Sequence, residues 1–161
     1  MKHKHDKYST RANAGKENVN GNLFAPIRYD MLNSREFKEL SLKAKALLIA
    51  GLAQYQHGKR GANNGNITFA HSVMEEWGFT RSTLRRALHE LLDAQFIVRT
   101  KTGGFGNPHL YAFTFLRIDE CKRNGRPIHD YEPTRRAPDL WKRYHEEDTT
   151  KLIDPDQEKD G

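Results

Sequence analysis

Phe69-Ala-His-Ser-Val-Met-Glu-Glu-Trp-Gly-Phe-Thr-Arg-Ser-Thr-Leu-Arg-Arg-Ala-Leu-His-Glu-Leu-Leu-Asp93 is the stretch that decides the fold. It reads as a short helix, a turn at Gly78 and a second helix starting at Thr80. Leu84, Ala87, Leu88, Leu91 and Leu92 recur at i, i+3, i+4, i+7 and i+8, so they share one face of a 3.6-residue period and that face must be buried. With about 100° of rotation per residue, Ser82, Arg86, His89 and Asp93 point the opposite way. Arg85 lies on one flank, and Thr83 and Glu90 on the other. The outward set is polar and basic toward its N-terminal end. On its own it fits a solvated surface helix as well as a helix that reads DNA.

The segments on either side decide between the two. Upstream, Asn33-Ser34-Arg35-Glu36 has the form of a capping box opening a short turn through Phe37 and Leu40, and Ser41 stands as the N-cap of a longer helix from Leu42 to about Gln56. Apolar residues cover most of that helix's circumference, which places it mid-domain. Lys43 and Lys45 in its first turn oppose the helix dipole. The Gly/Asn-rich run from His57 to Asn66 is a loop, and Ile67-Thr68-Phe69 a short strand. Downstream, Phe96 to Lys101 reads as a strand, Thr102 to His109 as a Gly/Asn/Pro loop, and Leu110 to Leu116 as a returning strand with Tyr111, Phe113 and Phe115 on one side. Trp77 and Phe79 are assigned to the core between the two helices.

Asn64-Gly65, Ile67, Trp77-Gly78-Phe79-Thr80, Leu84, Ala87-Leu88, Leu91-Leu92 and Phe96-Ile97, in the order helix, strand, helix, helix, strand, loop, strand, resemble the winged helix-turn-helix proteins of bacteria, phages and mobile elements, both replication-initiator-like and small regulator types. The resemblance covers roughly residues 24 to 117. It implies an α+β fold: a three-helix core plus a small antiparallel β wing, with flexible tails. It makes the helix from Thr80 to Asp93 the recognition helix and the loop from Thr102 to His109 the wing. At Gln95 the chain departs from the pattern, since many such domains close the recognition helix with Gly.

Charge is distributed to match. Residues 1–22 hold five Lys/Arg against two Asp/Glu, residues 23–118 thirteen against seven, and residues 119–161 nine against twelve. The basic excess thus sits in the middle and in the N-terminal arm, where a polyanion-binding surface requires it. The chain divides into a flexible basic arm (1–22), a winged domain (23–118) and a polar C-terminal extension (119–161). A mean hydropathy of -0.88 fits a compact part diluted by polar ends. The extension is punctuated at Pro127, Pro133 and Pro138, so a short helix at 139–146 is the first it can form. In that helix Leu140, Trp141 and Tyr144 lie close to one face. The segment is expected to dock back on its own domain, and the other reading is a partner-binding or dimerising peptide.

No reactive constellation stands out. The eight histidines are scattered, no Cys/His cluster has zinc spacing, and Gly103-Gly104-Phe105-Gly106 lacks the Gly-Lys-Ser/Thr ending of a phosphate loop. No enzymatic activity, cofactor or metal is therefore expected. One cysteine, Cys121, suits a reducing cytoplasm, and no apolar run approaches the ~18 residues of a membrane span. Double-stranded DNA is the expected partner; the sequence permits a homodimer without indicating one. Arg86 is best placed for bidentate pairing with guanine, with Ser82 and His89 beside it. Arg81 and Arg85 are placed for phosphates or base edges, and Thr80 and Thr83 stand at the helix start, where a phosphate can be received. Arg99, Lys101 and His109 flank the wing, and Lys59 and Arg60 add backbone contacts. Arg99 and Lys101 also fit the usual charged protection of an edge strand. Glu90 and Asp93 face outward and should mark the end of the DNA contact. A protein-interaction module on the same fold, such as a phage-type adaptor or inhibitor of a host complex, is the alternative.

Overall fold

Serine and threonine caps punctuate the first half of the chain. In the computed structural model, which describes residues 25–56 and 62–142, Ser34 Oγ accepts from Phe37 N (3.1 Å) to start α2 (Arg35–Glu39), directly after α1 (Tyr29–Asn33). Ser41 Oγ accepts from Ala44 N (3.1 Å) to start α3 (Leu42–Leu52), which buries Ala44, Leu47, Leu48, Ala50, Gly51 and Leu52. The helix stops four residues before the expected Gln56: Gln54 N and Tyr55 N turn back to Gly51 O and Leu52 O (3.0 Å each), and the Asn63 side chain holds the segment that follows. Asn63 Nδ2 donates to Gln54 O (2.8 Å), and Gln56 N donates to Asn63 Oδ1 (2.6 Å). The Gln54 amide in turn brackets the Thr68 backbone, donating to its carbonyl (2.8 Å) and accepting from its N–H (3.2 Å). One side chain thereby covers the free edge of β1 (Ile67–Thr68).

The remaining core elements are α4 (His71–Met74), which runs into a 3₁₀ turn at Glu75–Trp77, then α5 (Arg81–Asp93), β2 (Ile97–Lys101) and β3 (Leu110–Phe113). The sheet is antiparallel in the order β1-β3-β2, so β3 is central and all four of its residues are buried. Helices α3 and α5 pack on one another, with Leu84, Ala87 and Leu91 facing the core and Leu88 and Leu92 partly buried against it. The fold is therefore α+β, with small antiparallel sheets.

Gln95 occupies the place where glycine closes many comparable helices, and it adopts glycine's conformation. Its φ is 57°; Gln95 N donates to Leu92 O and Phe96 N to Leu91 O (3.0 Å each), the paired bonds that end a helix in a left-handed turn. Thr114 Oγ1 donates to the Gln95 carbonyl (2.7 Å), which holds the turn against the end of β3.

The folded unit does not stop at residue 118. Ile118, Cys121, His129 and Trp141 are buried. Thr134 N donates to Ile118 O (2.9 Å), and Asp139 N donates to Thr114 O (2.8 Å). A second hairpin, β4 (Lys122–Arg123) and β5 (Arg126–Pro127), projects from this segment. Asn64, fully buried, fastens the loop before β1 to the extension: its side-chain amide donates to Arg117 O (2.7 Å) and accepts from Phe113 N (2.7 Å), while its backbone N–H donates to Asp119 Oδ2 (3.0 Å). Composition suggested a boundary at 118 because the extension is polar on average; its few apolar residues are nonetheless spaced to reach back to the core.

The short helix expected at 139–146 appears as a 3₁₀ turn at Leu140–Lys142, the last described residues. Trp141 is 3% exposed and stacks on Phe96, with centroids 5.8 Å apart and an interplanar angle of 7°. It packs within its own domain and offers no surface to a partner; Leu140 is half-buried beside it. Arg28 pairs with both Asp30 and Asp139, and Lys142 with the same two carboxylates (3.1 and 3.4 Å), so the two ends of the described chain are clamped together. The arm 1–22, Lys59, Arg60 and Tyr144 lie outside the described residues. Among the described residues, no helix is long and apolar enough to cross a membrane.

Candidate nucleic-acid interface

Gly78 sets the angle between α4 and α5. Its φ of 78° lies in the left-handed region; Gly78 N donates to Glu75 O (2.9 Å) and Phe79 N to Met74 O (3.2 Å). The turn sends Phe79 into the core at 4% exposed and leaves Trp77 outside at 48%. The expectation that both rings are core residues is corrected for Trp77. Sequence alone cannot separate two aromatics that flank a reversal of direction.

Thr80 caps α5: its Oγ1 accepts from Thr83 N (3.3 Å), and the Thr83 and Ser82 hydroxyls bond to the same oxygen. The cap is occupied inside the protein, which commits Thr80 and Thr83 to helix initiation. Beyond it Arg81, Ser82, Arg85, Arg86 and His89 are all exposed along one side of the helix. The sequence places these five together, and so does the structure.

Glu90 is the exception on that side. Its carboxylate accepts from Ser41 N and from Ser41 Oγ, 2.6 Å each. It thereby joins the middle of α5 to the N-terminus of α3 and sets a negative charge at the helix end that Lys43 and Lys45 leave unfavourable. The reading of Glu90 as an outward-facing marker of the DNA boundary is corrected. It is a tether between helices, and its partner lies 49 residues away.

Beside α5 runs a groove of about 840 Å³. Ser82, Arg85, Arg86, His89, Glu90 and Asp93 of α5 line it on one side and Glu36 and Glu39 of α2 on the other, with Leu40 and Ala94 between them. Glu39 is paired with Arg35 (2.6 Å). The cationic half of α5 therefore looks across at acidic side chains, a contact that residue spacing could not reveal.

The loop from Thr102 to His109 is a closed hairpin end. Gly103 N donates to His109 Nδ1 (2.9 Å), and Asn107 N donates to Gly104 O (3.0 Å). A side chain on Gly103 would collide with the Asn107 and Pro108 backbone. His109 is thus a half-buried strap across the base of the loop, its Nδ1 engaged as an acceptor. Arg99 lies over the Tyr111 ring, 5.9 Å from its centroid, and both Arg99 and Lys101 are exposed. A β-bulge between them leaves Thr100 unpaired in the ladder; Thr100 turns inward and donates to Gly65 O (2.6 Å). At the tip Phe105 is fully exposed, with φ 32°. No strand alternation includes it, so the only sequence signal was an aromatic set between glycines.

Among the described residues no three metal-ligating side chains cluster. Cys121 is buried, and burial pushes its thiol up to about 11, away from the thiolate form. No family model, curated protein or solved structure matches the chain, so its chemistry has to be read from its own residues.

Proposed function

We propose that this chain is a winged helix-turn-helix protein that binds double-stranded DNA sequence-specifically, with α5 in the major groove and the Thr102–His109 hairpin as the wing on the backbone. It would serve transcriptional regulation or the replication of a mobile element, without catalysis. The observation that carries the reading is the exposed row Arg81, Ser82, Arg85, Arg86 and His89 on a capped helix whose other face is core, within a chain of net charge +6. Support also comes from the sheet order β1-β3-β2, with the loop of the β2–β3 hairpin beside cationic Arg99 and Lys101. The Glu36 and Glu39 carboxylates across the groove repel phosphate, so a duplex backbone would avoid that wall. Arg86→Ala is expected to level the preference among duplex sequences in a selection from random DNA. Unchanged selectivity in that variant, or no binding of any duplex by the unaltered chain at low salt, sinks the reading.

A second reading takes its motivation from the same groove. Facing acidic and basic walls with Leu40 and Ala94 between them suit a peptide segment of mixed charge as well as they suit DNA. On this reading the chain is an interaction module. Charge reversal at Glu36 and Glu39 separates the two: it should strengthen duplex binding if the groove faces phosphate, and abolish capture of a protein partner if it does not.

A further inference from the structure

The β4–β5 hairpin has no core of its own. Residues 122–127 are all exposed, and its turn is Asn124-Gly125, both with positive φ (50° and 76°), the geometry that matches the twist of a two-residue hairpin. Its register sets Arg123 opposite Arg126. Like charges in that relation are destabilising, and a ladder of two pairs has little with which to offset the cost. Lys122 is balanced by Glu120 at 2.9 Å, whereas Lys101, Arg123 and Arg126 have no ion pair among the described residues. These three cations line one groove of about 430 Å³ together with Asn124, Pro127 and Ile128, and no carboxylate lines it.

We propose that this groove is a second nucleic-acid backbone site. The Arg123 and Arg126 guanidiniums and the Lys101 ammonium would seat phosphodiester oxygens of the same duplex that α5 reads, so the inference rests on that reading. Two observations favour phosphate over an acidic peptide. Lys101 ends β2 and lines this groove, so the groove adjoins the exposed cationic edge of the β2–β3 hairpin that the proposed function turns toward backbone. Pro127 and Ile128 are its only apolar lining, too little to bury the side chains a peptide brings with its carboxylates. Planar guanidinium forks match phosphate oxygens two at a time, and backbone contacts of this kind fix position without reading sequence.

The test compares the full chain with Arg123→Ala/Arg126→Ala on a random-sequence duplex by fluorescence anisotropy across a salt series. Each lost phosphate contact removes about 0.9 from the slope of log affinity against log salt. Two lost contacts lower the slope by about 1.8, which makes the affinity drop between about 50 and about 200 mM salt roughly twelvefold smaller than for the unaltered chain. Arg123→Lys/Arg126→Lys, which keeps the charge, should restore the slope, and both variants should keep the sequence preference set by α5. Unaltered slope and affinity in the alanine variant overturn the second site and leave the proposed function standing. Failure of the unaltered chain to bind duplex overturns both. Capture of polyglutamate through Arg123 and Arg126, with the duplex slope unmoved, assigns the groove to an acidic protein and overturns the proposal.

Discussion

Removing Trp141 tests whether residues 119–142 belong to the fold or merely follow it. The indole is 3% exposed and stacks face to face on Phe96, itself fully buried. Truncating a buried aromatic to Ala costs about 3 to 5 kcal/mol, against a total stability of about 5 to 15 kcal/mol for a single domain. With a urea m-value of about 2 kcal/mol/M, a loss of about 4 kcal/mol lowers the midpoint for Trp141→Ala by about 2 M. Trp141→Phe behaves differently, because the buried indole N–H meets no acceptor among the described residues. Phe forfeits about two methylene equivalents, about 1.6 kcal/mol, but also removes an unpaired donor whose burial costs about 1 to 3 kcal/mol. Its midpoint should stay close to that of the unaltered chain. The unfolding can be followed by far-UV ellipticity, with fluorescence of the one remaining tryptophan, Trp77, as a second probe. A Trp141→Ala loss under about 1 kcal/mol, or a Phe variant as damaged as the Ala variant, refutes the account of this segment.

Three further outcomes follow from local geometry. Gln95→Gly should stabilise by up to about 1 kcal/mol in urea melts, since a non-glycine residue at φ 57° is strained; a destabilised variant would show that the side chain compensates. Glu90→Ala should cost about 1 to 2 kcal/mol by breaking the two bonds to Ser41 and, by loosening α5, should not strengthen duplex binding; tighter binding would return Glu90 to the DNA face. Arg28 first, and then Lys142, hold the Asp30 carboxyl well below the usual carboxylate range. A depressed folded-state value gives stability that is fully present above the ordinary Asp range and is lost progressively as pH falls from that range down through the depressed value. Acid titration should therefore destabilise the unaltered chain more steeply than Asp30→Asn, and parallel curves would contradict this.

Signals that act within one turn of chain were readable in the sequence. Ser34, Ser41 and Thr80 cap the helices they announce, Gly78 takes the left-handed turn, and the apolar period from Leu84 to Leu92 faces the core. Gln95 shows why a missing glycine did not end the pattern: helix termination is a backbone geometry, and Thr114 holds it from outside. What stayed hidden depends on contacts far along the chain. Glu90 has the spacing of an exposed residue, and Asn64 reads as a loop residue although it bonds to Phe113, Arg117 and Asp119. The Asn124-Gly125 dipeptide is a strong hairpin signal, but no alternating apolar residues flank it, so charge masked it. Of the twelve acidic residues in 119–161, seven follow residue 142, and averaging them with the hairpin hid its basic character.

The distribution of these long-range bonds bears on how the interface is held. Arg28 Nη1 donates to Phe115 O (3.2 Å), Asp139 N to Thr114 O (2.8 Å), and Asn64 Nδ2 to Phe113 O (2.9 Å). All three land on residues 113–115, at the end of β3, the return strand of the β2–β3 hairpin. Ser41 and Glu90 fix α5 from the opposite direction, through the N-terminus of α3. If α5 and the β2–β3 hairpin meet one duplex, as proposed, they have to keep their relative position to within a fraction of an ångström, and residues outside the contact supply that rigidity. Under the proposed function, Arg28, Asn64 and the backbone of the polar extension would together hold this end of β3, and with it the β2–β3 hairpin, without touching the duplex. The hairpin that the same segment pushes outward is then braced at Cys121, whose carbonyl accepts from Ile128 N (2.8 Å), so Arg123 and Arg126 stand on a fixed base beside Lys101.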